Sequence, residues 1–275
     1  MIITNPFLFL QKNKIQNRRK YLKKLQPVVI MARGHSGTRV LAWICHHLKI
    51  TMWTDQDRVS GDTDSNLNKK IKFIAKRNPF ITETGTYQNY LRIIFEDAIY
   101  KYHKRIKNSD SLWGWKFPET YLLAPMVRDI FPNAKFIHMV RDGRDLAFKE
   151  HLTDDPGRKV GKKILAHLET LDKPHYLQAA LSWQYQVEAF DNFAAENLNK
   201  NQLLTIKFED LITSPQAVTK ELCNFLEIEL TEDCRLYIEN EIIASKVKQH
   251  KNKPQQKLNE IEKYIKKTLA RHEYL

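Results

Sequence analysis

Four apolar residues, Val28-Val29-Ile30-Met31, follow Pro27 and run directly into Arg33-Gly34-His35-Ser36-Gly37-Thr38-Arg39, after which Val40, Leu41, Ile44 and Leu48 recur at helical spacing. A short β-branched run, a loop with two glycines and a one-sided helix, in that order, place a strand in a sheet and fold the helix back onto it. Such a loop also suits an anion. Glycine lets the backbone approach closely, and the first free N–H groups of the helix point at whatever sits there. Gly34, Ser36, Gly37 and Thr38 would form this loop, with Arg33, His35 and Arg39 adding charge; an ordinary tight turn is the competing reading. An ATP-type phosphate loop would need a Gly-Lys-Ser/Thr ending, and Thr38 stands where its lysine would be.

The alternation continues along the chain. Periodicity predicts a helix over Tyr87 to Tyr102, a strand over Leu112 to Phe117 ending at Pro118, and a helix from Leu122 to Phe131 around Pro125. A strand from Lys135 to Val140, a helix from Tyr176 to Leu198 and a strand from Leu203 to Phe208 follow. Ser214 as cap and Pro215 in the first turn start another helix, and a lysine-rich helix from Gln255 to His272 ends the chain. The polar stretch Asp55 to Asn68 reads as a long loop at a substrate edge. Strands alternating with helices, without hairpin signals, predict a three-layer α/β/α architecture around a central parallel sheet. With 275 residues, 42% of them hydrophobic, the expectation is one domain over 27–275 after a basic extension over 1–26.

Lysine and arginine outnumber aspartate and glutamate by 45 to 32, a formal charge of +13, so the partner should be anionic. Charge alone does not separate nucleic acid, acidic polymer, phosphorylated ligand and membrane surface. Cys45, Cys223 and Cys234 lack metal-ligand spacing, no metal is expected, and the first two read as buried thiols. The apolar run Pro6 to Leu10 is too short for a membrane span, and its basic cluster, Lys12 to Lys24, follows rather than precedes it. These features lead to the expectation of a cytoplasmic protein.

Three motifs carry chemistry. The first is the loop itself. The second is Phe136-Ile137-His138-Met139-Val140-Arg141-Asp142-Gly143-Arg144-Asp145, an apolar strand emptying into charge, where an arginine at the strand end can take a phosphate by paired hydrogen bonds. A solvated loop with Arg144 paired to Asp142 or Asp145 is the alternative. The third is Trp113-Gly114-Trp115-Lys116-Phe117-Pro118-Glu119, which sets a lysine at another strand end.

Together these resemble the sulfotransferases that use 3′-phosphoadenosine-5′-phosphosulfate (PAPS), and in particular the bacterial, carbohydrate and tyrosyl-protein members. The segment Arg33 to Leu41 is similar to their 5′-phosphosulfate loop, with His35 in the basic position and Arg39 replacing a threonine. Arg141 matches the arginine of the 3′-phosphate motif, and Lys149 stands where that motif has serine. Lys116 matches the lysine that reaches the transferring sulfuryl group. Thr205-Ile206-Lys207-Phe208-Glu209-Asp210-Leu211 resembles a Tyr-Glu-Asp-Leu pattern, with Phe208 placed to stack near adenine.

The resemblance implies a P-loop-like nucleotide-binding fold, PAPS as co-substrate and adenosine 3′,5′-bisphosphate as product. It also implies in-line transfer to a hydroxyl or amine on a glycan, small molecule or protein, without a metal. Catalytic roles fall to His35, Lys116 and a base, for which Asp57 is preferred over Asp55, Asp62 and Glu83. Donor binding falls to Arg33, Gly34, His35, Ser36, Gly37, Thr38, Arg39, Arg141, Lys149 and Phe208. Two other classes remain open. A phosphoryl-transfer enzyme would show the lysine-ended loop and a magnesium-binding aspartate, and a basic module for an anionic polymer would show arginine-aromatic clusters. Neither is found, and nucleic acid is not expected as a partner.

Overall fold

A computed structural model of the chain describes residues 6–53, 64–81, 86–106, 112–242 and 247–275. Its centre is a four-stranded sheet of β1 (Val28–Met31), β2 (Gly114–Lys116), β3 (Lys135–Val140) and β4 (Leu203–Lys207), in the spatial order β2-β1-β3-β4. All pairings are parallel, with Val29 opposite both Trp115 and Phe136, and Met139 opposite Ile206. Parallel strands need long crossovers, and here helices supply them.

Side chains alternate across the pleat, which separates two cores. Val28, Ile30, Ile137 and Met139 face α2 (Thr38–His47), α10 (Pro215–Leu226) and α11 (Glu232–Glu241) through Leu41, Ile44, Leu222 and Ile238. Val29, Met31, Trp115 and Phe136 face the other way, toward α3 (Ser65–Ala75), α4 (Thr86–Arg105) and α8 (His175–Asn197), through Ile71, Phe95 and Phe190. Covering both faces is what makes β1 and β3 entirely buried. The expected three layers are therefore present. The basic N-terminal segment forms α1 (Pro6–Leu22), and its Arg19 reaches the buried Glu96 of α4 at 2.9 Å.

Four local expectations need correction. Residues 65–68 are not loop but the start of α3, because Asp64 caps the helix, accepting from the Leu67 amide at 2.7 Å. The helix around Pro125 splits into a 3₁₀ turn, Pro118–Leu123, and α5 (Ala124–Ile130). Strand β4 stops at Lys207, and Phe208 opens α9 (Phe208–Thr213), where its ring is buried. Ser214 precedes α10 as expected, but its hydroxyl makes no capping bond. All three cysteines are buried thiols, and burial pushes that of Cys234 up to about 12. Among the described residues, no helix is long and apolar enough to cross a membrane.

Candidate active site

The loops at the carboxyl ends of β1, β2 and β3 and the start of α9 meet at one edge of the sheet, around a cleft of about 660 Å³. Gly34, His35, Gly37, Thr38 and Arg39 form one wall. Lys116 enters from the end of β2, Arg141 from the end of β3, and Phe208 from the start of α9. Residues separated by more than a hundred positions are thus placed around one space.

The loop has the backbone an anion cradle needs. Gly37 has φ 89°, and a Cβ there would lie 2.2 Å from the Phe208 ring, so both conformation and space require glycine. At Gly34 the obstruction would be the His151 imidazole, also at 2.2 Å. His35 takes φ 68°, a left-handed conformation rare for a residue with a side chain. The amide of Val40 bonds the Gly37 carbonyl at 3.0 Å, so the amides of Thr38 and Arg39 open α2 as first-turn donors.

Charge is arranged in two tiers. Lys116 and Arg141, 4% and 6% exposed, are buried cations whose ends line the cleft. Asp145 accepts from Arg141 Nη2 at 2.8 Å, and the Arg141 Nη1 donates to the His35 carbonyl at 3.2 Å, tying the arginine to the loop. Its guanidinium also lies 4.2 Å from the centre of the Phe208 ring. Asp145 is held in turn by His250, whose Nδ1–H and backbone amide both reach Oδ1, at 2.7 and 2.8 Å. Burial opposes the Asp145 charge, but the bonds from His250 and Arg141 outweigh it and hold the carboxyl down at about 2.

Behind this wall is a second tier. Arg33, expected at the donor for its charge, turns inward: it is 2% exposed, donates to the carbonyls of Gly34 and Lys149 at 3.1 and 3.2 Å, and forms a buried ion pair with Asp154. Asp154 also accepts from the His151 amide at 2.9 Å. Ser36 is buried and Lys149 contributes its backbone to this brace; neither lines the cleft. Arg144 pairs with Asp142 and with Glu262, at 2.7 and 2.6 Å.

Two histidines face each other across the loop, their ring centres 5.9 Å apart. His35 donates from Nε2 to the Glu150 carbonyl at 2.9 Å; loss of hydration and the neighbouring Arg33 hold its pKa below the usual histidine value. His151 sits deeper, with Nδ1 2.8 Å from the Thr153 hydroxyl, and burial followed by Arg33 pushes it well below that value. No sequence pattern assigns His151 a role, nor Glu119, which closes the Trp113 motif and is buried at the same edge. The preferred base Asp57, like Asp55, Asp62 and Glu83, lies outside the described residues.

A protein-tyrosine sulfotransferase of Drosophila melanogaster is 25% identical over 113 residues, 41% of this chain and 20% of that protein. Protein-tyrosine sulfotransferase A of Caenorhabditis elegans is 24% identical over 113 residues, 41% of this chain and 27% of that protein. The chain therefore spans under a third of the length of either relative. Among solved structures, the sulfotransferase domain of the Synechococcus PCC 7002 olefin synthase aligns over 87% of this chain and 94% of that one, with 15% identity and a TM-score of 0.49. A mouse sulfotransferase complexed with PAP aligns over 84% and 70%, with 17% identity and a TM-score of 0.45. The model of the sulfotransferase family matches residues 27–233, a span that holds the β1 loop, Lys116 and the arginine motif together, and the chain belongs to that family.

Proposed function

We propose that this chain transfers a sulfuryl group from PAPS to a hydroxyl or amine acceptor by direct in-line displacement. The observation that carries the reading is the convergence of the glycine loop, buried Lys116 and buried Arg141 on one cleft. The residues fit the donor: a loop whose two glycines pack closely against the His151 and Phe208 rings, first-turn amides, and two cations out of bulk water. When bound, PAPS supplies an activated sulfuryl group and a stable leaving nucleotide. As the acceptor's oxygen or nitrogen bonds to sulfur, the S–O bond to the 5′-phosphate breaks, its electron pair stays with the nucleotide, and the acceptor proton passes to a base.

Each residue then has a task. The amides of Thr38 and Arg39, with His35, hold the 5′ end, and Lys116 faces the charge that grows on the bridging oxygen. Arg141, steadied by Asp145, holds the 3′-phosphate, and Phe208 stacks beside the guanidinium at the nucleotide. Asp57 is proposed as base on its place in the sequence. Thermal stabilisation by adenosine 3′,5′-bisphosphate, compared with ATP plus magnesium and with single-stranded DNA, tests the reading. Selective stabilisation by the first is expected, and preference for either of the others overturns it. Arg141→Ala should weaken adenosine 3′,5′-bisphosphate by about 1.5–3 kcal/mol and adenosine 5′-phosphosulfate far less, because only the first has a 3′-phosphate. Equal losses for both would remove Arg141 from that task.

A further inference from the structure

A second cleft, of about 790 Å³, opens beside the first and shares four lining residues with it: Lys72, Glu119, His151 and Leu152. One wall is α3 and its C-cap, which present Lys72 and Lys76 one turn apart, both exposed. The opposite wall is the segment 155–160 leading into α7 (Lys159–His167), which presents Arg158 and Lys159. Among the described residues, Arg158 is the one of these cations that is ion-paired, with Asp155 of its own wall. Asp155 is taken by the Gly157 amide at 2.7 Å and by Arg158 at 3.4 Å, and Glu119 is buried at the floor, 2% exposed, where the two clefts meet. Among the described residues, Lys76 and Lys159 make no ion pair. That leaves the exposed Glu150 in the same lining as Lys72, Lys76 and Lys159.

We infer that this second cleft is the acceptor site and that it takes a saccharide bearing a carboxylate or sulfate close to the hydroxyl to be modified, an assignment that rests on the sulfotransferase reading. Its continuity with the donor cleft brings an acceptor hydroxyl to the shared residues His151 and Glu119, which line the donor cleft together with Lys116. Its size suits a di- or trisaccharide unit, since small-molecule sites run to roughly 300–1,000 Å³. The lining chemistry favours sugar over an aryl group or a peptide side chain. His151, His175, Glu119 and Glu150 offer several hydrogen-bonding groups to a ring of hydroxyls, whereas Leu152, Pro156 and Val160 are the apolar residues available to an aromatic ring. Cations on both walls, with a carboxylate at the floor, direct the anionic substituent to the mouth and the neutral hydroxyl inward.

The test uses the full chain, labelled PAPS and three acceptors: a uronic-acid disaccharide, the same disaccharide with its carboxyl reduced to an alcohol, and a tyrosine peptide with acidic neighbours. The uronic-acid form is expected to exceed its reduced counterpart by about tenfold or more in kcat/KM, the effect of one charge-assisted contact. Lys76→Ala and Lys159→Ala are each expected to shrink that ratio, through KM for the acceptor, while affinity for adenosine 3′,5′-bisphosphate holds and reports an intact fold. Equal use of the two sugars, a ratio untouched by both substitutions, preference for the peptide, or donor binding with transfer to neither sugar overturns the assignment. Failure to bind adenosine 3′,5′-bisphosphate at all would instead strike the sulfotransferase reading.

Discussion

At His35 the left-handed φ, the bond from Nε2 to Glu150 and the depressed pKa act together. The Nε2 proton is committed to the protein, so Nδ1 is the ring atom left for a ligand. Without ligand the ring is neutral at pH 7, and an anion beside it favours the imidazolium. Turnover should then fall as pH rises through the histidine's pKa in the complex, and His35→Lys should move that fall upward, since a lysine titrates at about 10.4. Profiles of kcat against pH at saturating substrates check this; identical alkaline limbs would leave His35 only its backbone role. On the proposed mechanism, Lys116 acts on charge that develops late. Lys116→Ala should therefore lower kcat by about two orders of magnitude with little change in donor affinity, measured by single-turnover kinetics beside a binding titration. Both residues were legible because each follows a recognisable strand or sits in a glycine loop. His151 was not: its position at the cleft depends on contacts with Arg33, Asp154 and Thr153 that no local pattern announces.

At the level of elements, the loop after β1 and the segment 149–154 behave as one piece because Arg33 and Asp154 join them inside the protein. Burial lowers the pKa of Arg33 and raises that of Asp154, so keeping this pair dry is costly, and its value is in fixing one geometry rather than in net stability. Asp154→Ala should cost about 3–5 kcal/mol, because it strands a buried guanidinium. The double replacement Arg33→Met with Asp154→Leu should recover much of that stability while turnover stays low, since the loop loses its register. Urea denaturation beside steady-state kinetics separates the two effects, and full recovery of both would make the pair merely structural. The sequence pointed Arg33 at the ligand from its charge; the fold needed that charge as a brace.

Across the whole molecule, His138 links the sheet to the C-terminus. It lies 1% exposed in β3, with Nε2 2.7 Å from the Tyr121 hydroxyl and Nδ1 3.6 Å from Asp191, which also pairs with His272 near the chain end. Burial pushes its pKa down to about 3, against roughly 6.5 when unfolded, so the unfolded chain binds the proton first and stability falls as pH drops through that interval. The loss is at most about 5 kcal/mol across the interval. Asp191, whose pKa is lowered in spite of burial by its bond to His272, adds a further loss at the acid end as it protonates. His138→Gln should flatten the stability curve between about pH 6 and 4, read from urea midpoints at each pH; an unchanged slope would show that other groups control it. The sequence alone was sufficient for the order of strands and helices, for the parallel sheet and for Lys116 and Arg141 at strand ends, because propensity, periodicity and glycine placement act between near neighbours in the chain. It could not decide that Arg33 would face Asp154, 121 positions away, or that Phe208 would leave its strand to fill the space beside Gly37. Those outcomes depend on which groups are dry and what is left to pair with them, and only the packed tertiary structure determines that.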